Sequence, residues 1–476
     1  MTEVPRTIQE AARALRAGET TSVELTRTML DRADTLDPVL GCFITRMDET
    51  ALAAAERADA AFASGQDLGP LQGVPIGLKD ILATDDAPTS AQSLTMDPAW
   101  SAQGDGPAVR RLRQGGAVIV GKNTTNEFAS GGPDDQKPFP IPKNPWNTDH
   151  SPGGSSSGTG VGVAAGLHLG GVGTDTSGSV RWPAAANGVS GMMATYGRVP
   201  RSGCTQNGFS LDHIGPMART AWDCAAMLSV MAGHDPTDES SFDVPVPDYT
   251  AGLDGDLRRL RVGVVREGHT DLPDAHPDMV EAFDRAVAVF EQGGALVREV
   301  VIPHIAEIFS AQWVNNAGEK SGIYVKRFEQ QWADWGRYTR VGMSSFGLFL
   351  DAADYVQSLR VRQWAAKTIG ALMQEFDVLL TPTTKGPPAR RADLGYARNL
   401  DMGILTSPWS WIGYPAIAVP MGFSGGLPLS LQIAGKPFDE AAVLQAADAF
   451  QRVTDWHDQV PPVLAALEPA TAGELV

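Results

Sequence analysis

The chain has 476 residues, of which 43% are hydrophobic and 20% are charged, a composition typical of globular proteins. Its formal net charge of −18 opposes a phosphate backbone, so we expect no nucleic-acid partner. The chain contains no apolar run long enough to span a bilayer, and its three cysteines fit neither a disulfide framework nor a metal site, so we expect a cytoplasmic protein without membrane contact.

The N-terminal part carries helical signals. Apolar residues recur at helical spacing over 8–15. Thr21 and Glu24 form a capping box that opens a second helix, and the Ala-rich stretch 49–63 predicts a third. We therefore expect residues 1–65 to be mostly helical.

Strand and helix signals alternate through the rest of the chain. We predict strands over 74–78, 117–120, 261–266, 295–302, 377–382 and 416–421, and helices over 277–292, 439–454 and most of 304–376. The small apolar residues 161–173 predict a buried helix followed by a turn, and residues 465–476 a loose tail. This order predicts one α/β domain over 1–476, with a mostly parallel or mixed, twisted sheet covered on both faces by helices.

The densest chemical signal lies in two neighbouring segments, PGGSSSGTG (152–160) and GTDTSGSVRWPAA (173–185). Glycines let a backbone approach a ligand closely, and hydroxyls supply nucleophiles and proton relays. Backbone N–H groups in such a turn can point together at one anion. The two segments indicate acyl chemistry through an oxyanion, although a Ser/Gly-rich stretch is also typical of an ordinary loop.

Shorter motifs offer weaker alternatives. Residues 154–158 fit the G-x-S-x-G elbow with Ser156 at its centre, but Pro152 and a polar loop stand where the elbow needs a strand. Residues 116–122 resemble a phosphate-binding loop, but Asn123 replaces the required Ser or Thr. The histidines show no metal-ligand spacing, so we expect no metal and no cofactor, while a Ser-His-Asp triad stays open.

Several long segments, in order, resemble the amidase-signature hydrolases, from about residue 7 to about residue 460. The resemblance is densest over NPWNTDHSPGGSSSGTG and the residues that follow it, within 144–200. It also covers PLQGVPIGLKD, GKNTTNEFASG, SLDHIGPMART, TPT and GYPAIAVPMGFSGGLPLSLQIAG, at 70–80, 121–131, 210–220, 381–383 and 413–435. It implies a catalytic core over 66–230 and a helical substrate-funnel region over 300–376.

The resemblance implies a Ser–cis-Ser–Lys triad. By position in the motifs, Ser179 is the nucleophile, Ser155 the bridging serine after a cis Gly154–Ser155 bond, and Lys79 the base. The two serines lie 24 residues apart, as the family pattern requires. The resemblance also implies an oxyanion hole from the backbone N–H groups of Thr176, Ser177, Gly178 and Ser179, with supporting roles for Ser156, Asp175 and Arg181.

The chemistry of this triad places a demand on the lysine. A serine hydroxyl is a poor nucleophile until a base takes its proton, and a lysine is a base only when it is neutral. Burial lowers the pKa of an ammonium group, and the apolar neighbours of Lys79 suit burial. The alternative is a lysine ion-paired with an acidic neighbour, which would be charged and inert.

We expect a hydrolase that cleaves the acyl C–N bond of an amide, anilide, hydrazide or carbamate, an amidase or a hydrazidase, with a small aryl or apolar substrate. Relatives and the cluster of tryptophans place the pocket at Glu127, Ala129, Ser130, Gly131, Trp313, Trp335 and Trp409. Many relatives form dimers, so a homodimer is an open expectation.

Three alternatives remain. One is the glutaminase subunit of a tRNA-dependent amidotransferase, which would pass ammonia to a partner enzyme; the acidic charge and the divergent segment 131–140 argue against it. Another is a non-catalytic binding or scaffold protein, against which the three intact triad positions argue. The last is an α/β-hydrolase esterase that uses Ser156.

Overall fold

The computed structural model describes residues 4–258, 260–342, 347–394 and 404–467. The helices in these ranges are α1 (Ile8–Ala17), α2 (Ser22–Leu40), α3 (Asp48–Ala63), α4 (Pro98–Ser101), α5 (Pro107–Gln114), α6 (Ser157–Ala164), α7 (Arg181–Asn187), α8 (Ala221–Met231), α9 (Pro277–Gln292), α10 (Ile305–Gln330), α11 (Arg337–Gly342), α12 (Ala352–Leu372), α13 (Ser407–Ile412) and α14 (Glu440–Arg452). The strands are β1 (Phe43–Arg46), β2 (Pro75–Lys79), β3 (Val118–Asn123), β4 (Gly170–Asp175), β5 (Ser190–Met193), β6 (His213–Ala218), β7 (Arg261–Val265), β8 (Leu296–Val300), β9 (Val378–Pro382), β10 (Ala416–Ser424) and β11 (Leu427–Gly435).

The strands form one mixed sheet. Among the described residues it has 11 strands in the order β1-β3-β2-β4-β6-β5-β10-β11-β9-β7-β8. The pairs β2–β3, β2–β4, β7–β8 and β7–β9 are parallel, and the other neighbours are antiparallel. Helices flank this sheet, so the predicted fold class, a single α/β domain on a mixed sheet, is confirmed.

Local signals explain the N-terminal helices. Thr7 and Thr21 each accept a hydrogen bond from the backbone of a glutamate three residues on, and that glutamate closes a capping box. The same two helices end at Gly18 and Gly41, both in the left-handed conformation that glycine adopts without a Cβ clash. The predicted helical start of the chain is therefore present as α1, α2 and α3.

The central strands are buried along their whole length. Every residue of β2, β3, β4 and β9 is buried, which is typical of strands covered on both faces. A second apolar cluster lies where α10, α12 and α13 pack on the sheet, and it contains Trp409 and Trp411. The helical region predicted over 304–376 thus forms a wall beside the sheet rather than a separate domain.

One prediction within the catalytic core is wrong. Residues 170–173, predicted as a turn after a helix, belong to the central strand β4. The strand is glycine-rich because helix α6 lies directly against it: a Cβ on Gly171 would come 2.6 Å from Thr159 Cγ2, and one on Gly173 would come 2.7 Å from Ser156 Oγ. The glycines that resemble a turn in the sequence thus allow close packing of helix on strand.

At the C-terminal end, Pro462–Leu467 form a 3₁₀ helix, so the beginning of the predicted loose tail is ordered; positions 468–476 lie outside the described residues. No helix in the described part of the chain is both long and apolar enough to cross a bilayer.

Candidate active site

Parallel pairing brings the two conspicuous sequence segments to the same edge of the sheet. Strand β2 ends at Lys79, its parallel neighbour β4 ends at Asp175, and the carboxyl ends of parallel strands lie at one edge. The segment before α6, with Ser155 and Ser156, lies against the same edge, because Ser156 N–H donates to Ser179 O at 3.3 Å. The predicted triad positions therefore come together in space.

Lys79 lies at the centre of this site and is fully buried. Its Nζ atom is 2.7 Å from Ser155 Oγ and 2.8 Å from Thr174 Oγ1. Burial lowers the pKa of Lys79 from its usual 10.5 to about 7, and nearby acidic groups oppose this shift only in part. A substantial fraction of Lys79 is therefore neutral near pH 7.

Asp80, the acidic neighbour in the sequence, does not form an ion pair with Lys79. Asp80 forms a buried ion pair with Lys122, with 3.0 Å between Asp80 Oδ1 and Lys122 Nζ. Asp80 is the first residue after β2, and its second carboxylate oxygen accepts from Ser90 N–H at 3.0 Å, so both oxygens have partners other than Lys79. Within the described part of the chain Lys79 has no carboxylate within ion-pair distance, and the ion-paired alternative does not hold.

The two serines differ in their surroundings. Ser155 is buried, follows a cis Gly154–Ser155 peptide bond, and its carbonyl oxygen accepts a hydrogen bond from Asn126 N–H at 3.2 Å. Ser179 is half-buried, and its hydroxyl makes no hydrogen bond within the described ranges. Ser155 Oγ is therefore committed to Lys79, while Ser179 Oγ is free to turn toward Ser155 or a substrate.

Asp175 holds the turn that carries Ser179. Its carboxylate accepts from Gly178 N–H at 2.7 Å and from the Arg181 guanidinium at 2.9 Å through both Nε and Nη2. Burial alone would raise the pKa of Asp175, but the charge and hydrogen bonds of Arg181 hold it below its usual value. Asp175 and Arg181, two of the three predicted supporting residues, therefore hold this turn in place.

The predicted oxyanion donors are only partly available. The N–H of Gly178 is occupied by Asp175, whereas those of Thr176, Ser177 and Ser179 make no hydrogen bond within the described residues. Gly178 has a φ of +132°, and a Cβ there would come 2.0 Å from Thr406 Oγ1, so only glycine fits. The assignment of Gly178 as a donor thus needs correction, and three of the four groups remain.

Ser156 has a packing role. Its hydroxyl donates to Thr174 O at 3.3 Å and accepts from Thr174 N–H at 3.2 Å, which ties the start of α6 to β4. The side chain is fully buried, unlike the exposed serine of a nucleophile elbow. His213 Nδ1 contacts Asp175 O at 3.0 Å, and its Nε2 has no partner in the described part of the chain, so no Ser-His-Asp triad forms there.

The segment predicted to border the pocket does lie beside the site. Asn207 Nδ2 donates to Ala129 O at 3.4 Å and to Thr176 Oγ1 at 3.3 Å, and so links this segment to the Ser179 turn. Phe128 and Ala129 have φ values of +44° and +60°, a strained conformation for residues with a Cβ and one that clusters at functional sites. The other residues predicted for the pocket lie in the same short stretch: Glu127, Ser130 and Gly131.

The tryptophans are less suited to a pocket than expected. Trp335 is fully buried and packs against Phe128 and Phe328, with ring centroids 5.2 and 5.8 Å away. Trp409 is buried in the cluster between α13 and the sheet, and Trp313 is half-buried on α10. The first two contribute to core packing rather than to an open aryl pocket.

Sequence reasoning missed the groups of α10 that face the Ser179 turn. Gln312 Nε2 and Asn316 Nδ2 both donate to Ser177 Oγ, at 2.6 and 2.9 Å. The signal was present in the sequence, because two amides four residues apart lie on one helical face. Thr174, the second partner of Lys79, was missed as well, although it stands inside the quoted GTDTSGS segment.

The α/β fold thus places a buried lysine against a serine hydroxyl, an arrangement that suits acyl-transfer chemistry. The profile of the family described as Amidase matches residues 24–444. The chain belongs to this amidase-signature family, as the sequence motifs predicted.

Individual relatives extend over nearly the whole chain. One subunit of the glutamyl-tRNA(Gln) amidotransferase of Chloroflexus aggregans is 38% identical, covering 97% of this chain and 99% of that protein. A solved structure described as a vestigial protein complex that reveals the origins of an s-triazine catabolic enzyme has a TM-score of 0.87 at 28% identity, covering 94% of this chain and 98% of that one. The native peptide amidase of Stenotrophomonas maltophilia has a TM-score of 0.81 at 30% identity, covering 94% and 96%.

These relatives correct one expectation. The exclusion of a nucleic-acid partner from the acidic net charge is wrong, because the relatives at 38% identity are named for a glutamyl-tRNA and for a place in a multi-subunit enzyme. Net charge describes the surface as a whole and cannot exclude a local contact or a contact made by another polypeptide of an assembly.

The pKa of Lys79 gives a testable pH dependence. Because only the neutral amine accepts a proton, kcat/KM should rise with pH through about 7 and level off above it. Lys79→Met should lower kcat/KM by about 10²–10⁴-fold. Lys326→Met, on the exposed face of α10, is the matched control and should keep the wild-type profile. A profile that is flat across this range, or one whose midpoint lies near the ordinary lysine value, would contradict the neutral-base assignment.

Proposed function

We propose that this protein hydrolyses an acyl carbon–nitrogen bond through an acyl-enzyme on Ser179, with Ser155 as proton relay and Lys79 as base. The observation that carries the proposal is the buried Lys79 amine, 2.7 Å from Ser155 Oγ and without an ion-pair partner among the described residues. Such an amine can take a proton that a solvent-exposed or ion-paired lysine cannot.

The first half of the reaction forms the ester. The Ser179 hydroxyl turns toward Ser155, gives its proton to Ser155 Oγ as it attacks the carbonyl carbon, and Ser155 passes its own proton to Lys79 Nζ. The protonated lysine then returns a proton through Ser155 to the leaving nitrogen, which departs as ammonia or an amine. Water repeats the sequence on the ester, releases the acid and restores the free hydroxyl.

The oxyanion of both steps would be stabilised by the turn before Ser179. The N–H groups of Thr176, Ser177 and Ser179 supply donors that need no rearrangement, because Asp175 and Arg181 already hold the turn. Losing one such donor typically costs about 10²–10³-fold in kcat. The Ser177 hydroxyl accepts from Gln312 and Asn316 on α10, so its side chain is held by that helix.

The packing of Trp335 and Trp409 gives little support to an aryl substrate, and no feature of the site favours a hydrazide over an amide. The amide groups of Gln312 and Asn316 beside the Ser179 turn are polar. A primary carboxamide therefore suits the site better than an anilide, and we place anilides, carbamates and hydrazides as comparison substrates only.

A second candidate is more specific. The match to the amidotransferase relative over 97% of this chain and 99% of that protein favours a glutaminase subunit, which would release ammonia from glutamine for a partner enzyme acting on glutamyl-tRNA. This candidate uses the same chemistry on Ser179 and differs in the acyl donor and in the need for partners. It has more support than the free-standing aryl amidase.

Covalent labelling tests the nucleophile. A fluorophosphonate should label the wild type strongly and Ser155→Ala weakly, but Ser179→Ala not at all, because the Ser179 hydroxyl is the group that forms the bond. Ser310→Ala, on the same helix as Gln312 but remote from Ser177, is the control and should label fully. Labelling that persists in Ser179→Ala and disappears in Ser156→Ala would overturn the assignment in favour of the elbow serine.

Substrate and partner assays separate the two candidates. If the glutaminase candidate is right, the protein purified from its native cells should carry other polypeptides in fixed stoichiometry, and glutamine hydrolysis should increase when they and glutamyl-tRNA are present. A free-standing amidase should purify alone and should hydrolyse simple carboxamides at the same rate with or without added polypeptides and glutamyl-tRNA. The rate of ammonia release from glutamine and from butyramide, measured with and without those polypeptides and glutamyl-tRNA, distinguishes them.

A further inference from the structure

Helix α10 presents a polar stripe to the catalytic region. Gln312, Asn316 and Lys320 follow one another at four-residue intervals, so they lie on one face of the helix, about 6 Å apart along its axis. The first two contact Ser177 Oγ in the turn before the nucleophile. Lys320 therefore lies one helical turn beyond Asn316, the last of these residues to contact the Ser179 segment.

The next turn of the same helix contacts the 127–131 segment. Tyr324 packs against Phe128 with ring centroids 4.9 Å apart, and its hydroxyl donates to Gln206 O. Lys320 thus lies on the helix between a contact with the Ser179 turn and a contact with the 127–131 segment, which we expect to border the acyl pocket. It shares the helix face of Asn316 and Tyr324, whose side chains make these two contacts.

Lys320 lacks the partners that a buried cation normally has. The residue is only 7% exposed, yet its amine makes no hydrogen bond or ion pair within the described part of the chain. The acid whose charge raises the pKa of Lys320 is Glu127, whose oxygens accept from Ser93 Oγ at 2.6 Å and from Gly336 N–H at 2.8 Å. Glu127 is thereby held in its own hydrogen bonds and not in an ion pair with the lysine.

An unpartnered buried ammonium is costly, because buried charges are normally paired, and a bound anion would supply the missing counter-charge. Burial lowers the pKa of Lys320 to about 8, so the amine is still mostly protonated at neutral pH and a bound anion would keep it so. A carboxylate is the anion that best matches a compact ammonium group in a small pocket.

We propose that Lys320 determines substrate specificity by binding a carboxylate on the acyl side of the amide, about one helical turn from the carbonyl that Ser179 attacks. The proposal rests on the proposed amide hydrolysis and names its substrate class: carboxamides whose short acyl chain carries a carboxylate. It replaces the expected neutral aryl substrate with an anionic one, and an acidic protein thereby acquires one local cationic site for its ligand.

The test compares substrates of matched size with and without the charge. The monoamides of succinic and glutaric acid carry the carboxylate, and butyramide and valeramide lack it. For the wild type, kcat/KM for at least one of the two monoamides should exceed that for the neutral amide of the same length by at least about tenfold. Lys320→Met should remove that preference through a rise in KM, with butyramide hydrolysis changed less than about twofold, and Lys320→Arg should restore most of it.

Two further readouts keep the outcome interpretable. Lys320→Met should unfold at the wild-type temperature or above it, because it removes an uncompensated buried charge. It should still react with the fluorophosphonate, which separates lost recognition from a lost nucleophile; absence of labelling in the wild type would instead refute the proposed function. If the variant does not fold, competitive inhibition of wild-type butyramide hydrolysis by glutarate, at concentrations well below the KM for butyramide, supports the proposal.

Equal kcat/KM for charged and neutral amides in the wild type would overturn the proposal. A Lys320→Met variant whose kcat/KM falls by the same factor for charged and neutral amides would also overturn it, since a merely structural lysine would give that result.

Discussion

The site depends on one electrostatic separation at the end of strand β2. Lys79 and Asp80 are adjacent in sequence, yet the carboxylate of Asp80 is bound by Lys122 and not by Lys79. If Asp80 paired with Lys79 instead, the amine would remain charged and could not serve as a base. The proposed chemistry therefore depends on the buried Asp80–Lys122 pair as well as on the serines.

The rest of the site is arranged around that free amine. The parallel pairing of β2 and β4 brings Lys79 to Thr174, and the glycines of β4 let α6 lie close enough for Ser155 to reach the amine. Beyond β4, the Asp175–Arg181 pair holds the turn that leads to Ser179. Each element has a simple steric or electrostatic cause. Among the described residues, three backbone N–H donors and the Ser179 hydroxyl are left without a hydrogen-bond partner and are available to a substrate.

Much of this could be predicted from the sequence. The N-terminal helices, the helix at 277–292 and most strands follow from periodicity and capping signals, and the positions of the three triad residues follow from motifs that resemble a family. Contacts between distant segments could not be predicted. The pairing of Asp80 with Lys122, the occupation of Gly178 N–H by Asp175, and the strand at 170–173 depend on what packs against those residues, and no local pattern encodes that.

The errors in functional prediction have the same origin. Tryptophans that cluster in the sequence are divided between core packing and the surface in the fold, and a net charge summed over the chain says nothing about a local cationic site such as that of Lys320. In both cases a property of many residues, their aromatic content or their summed charge, was assigned to one site, whereas the fold places those residues in different parts of the molecule.

The central claim is that Lys79 is neutral at working pH in the folded enzyme. The most direct measurement is an NMR titration of deuterated protein labelled with ¹³C at the lysine ε-carbon, with the Lys79 signal assigned by its loss in Lys79→Met. We predict a midpoint at about 7. A Lys79 signal that keeps the shift of a charged ammonium up to about pH 9, near the ordinary lysine range, would contradict it.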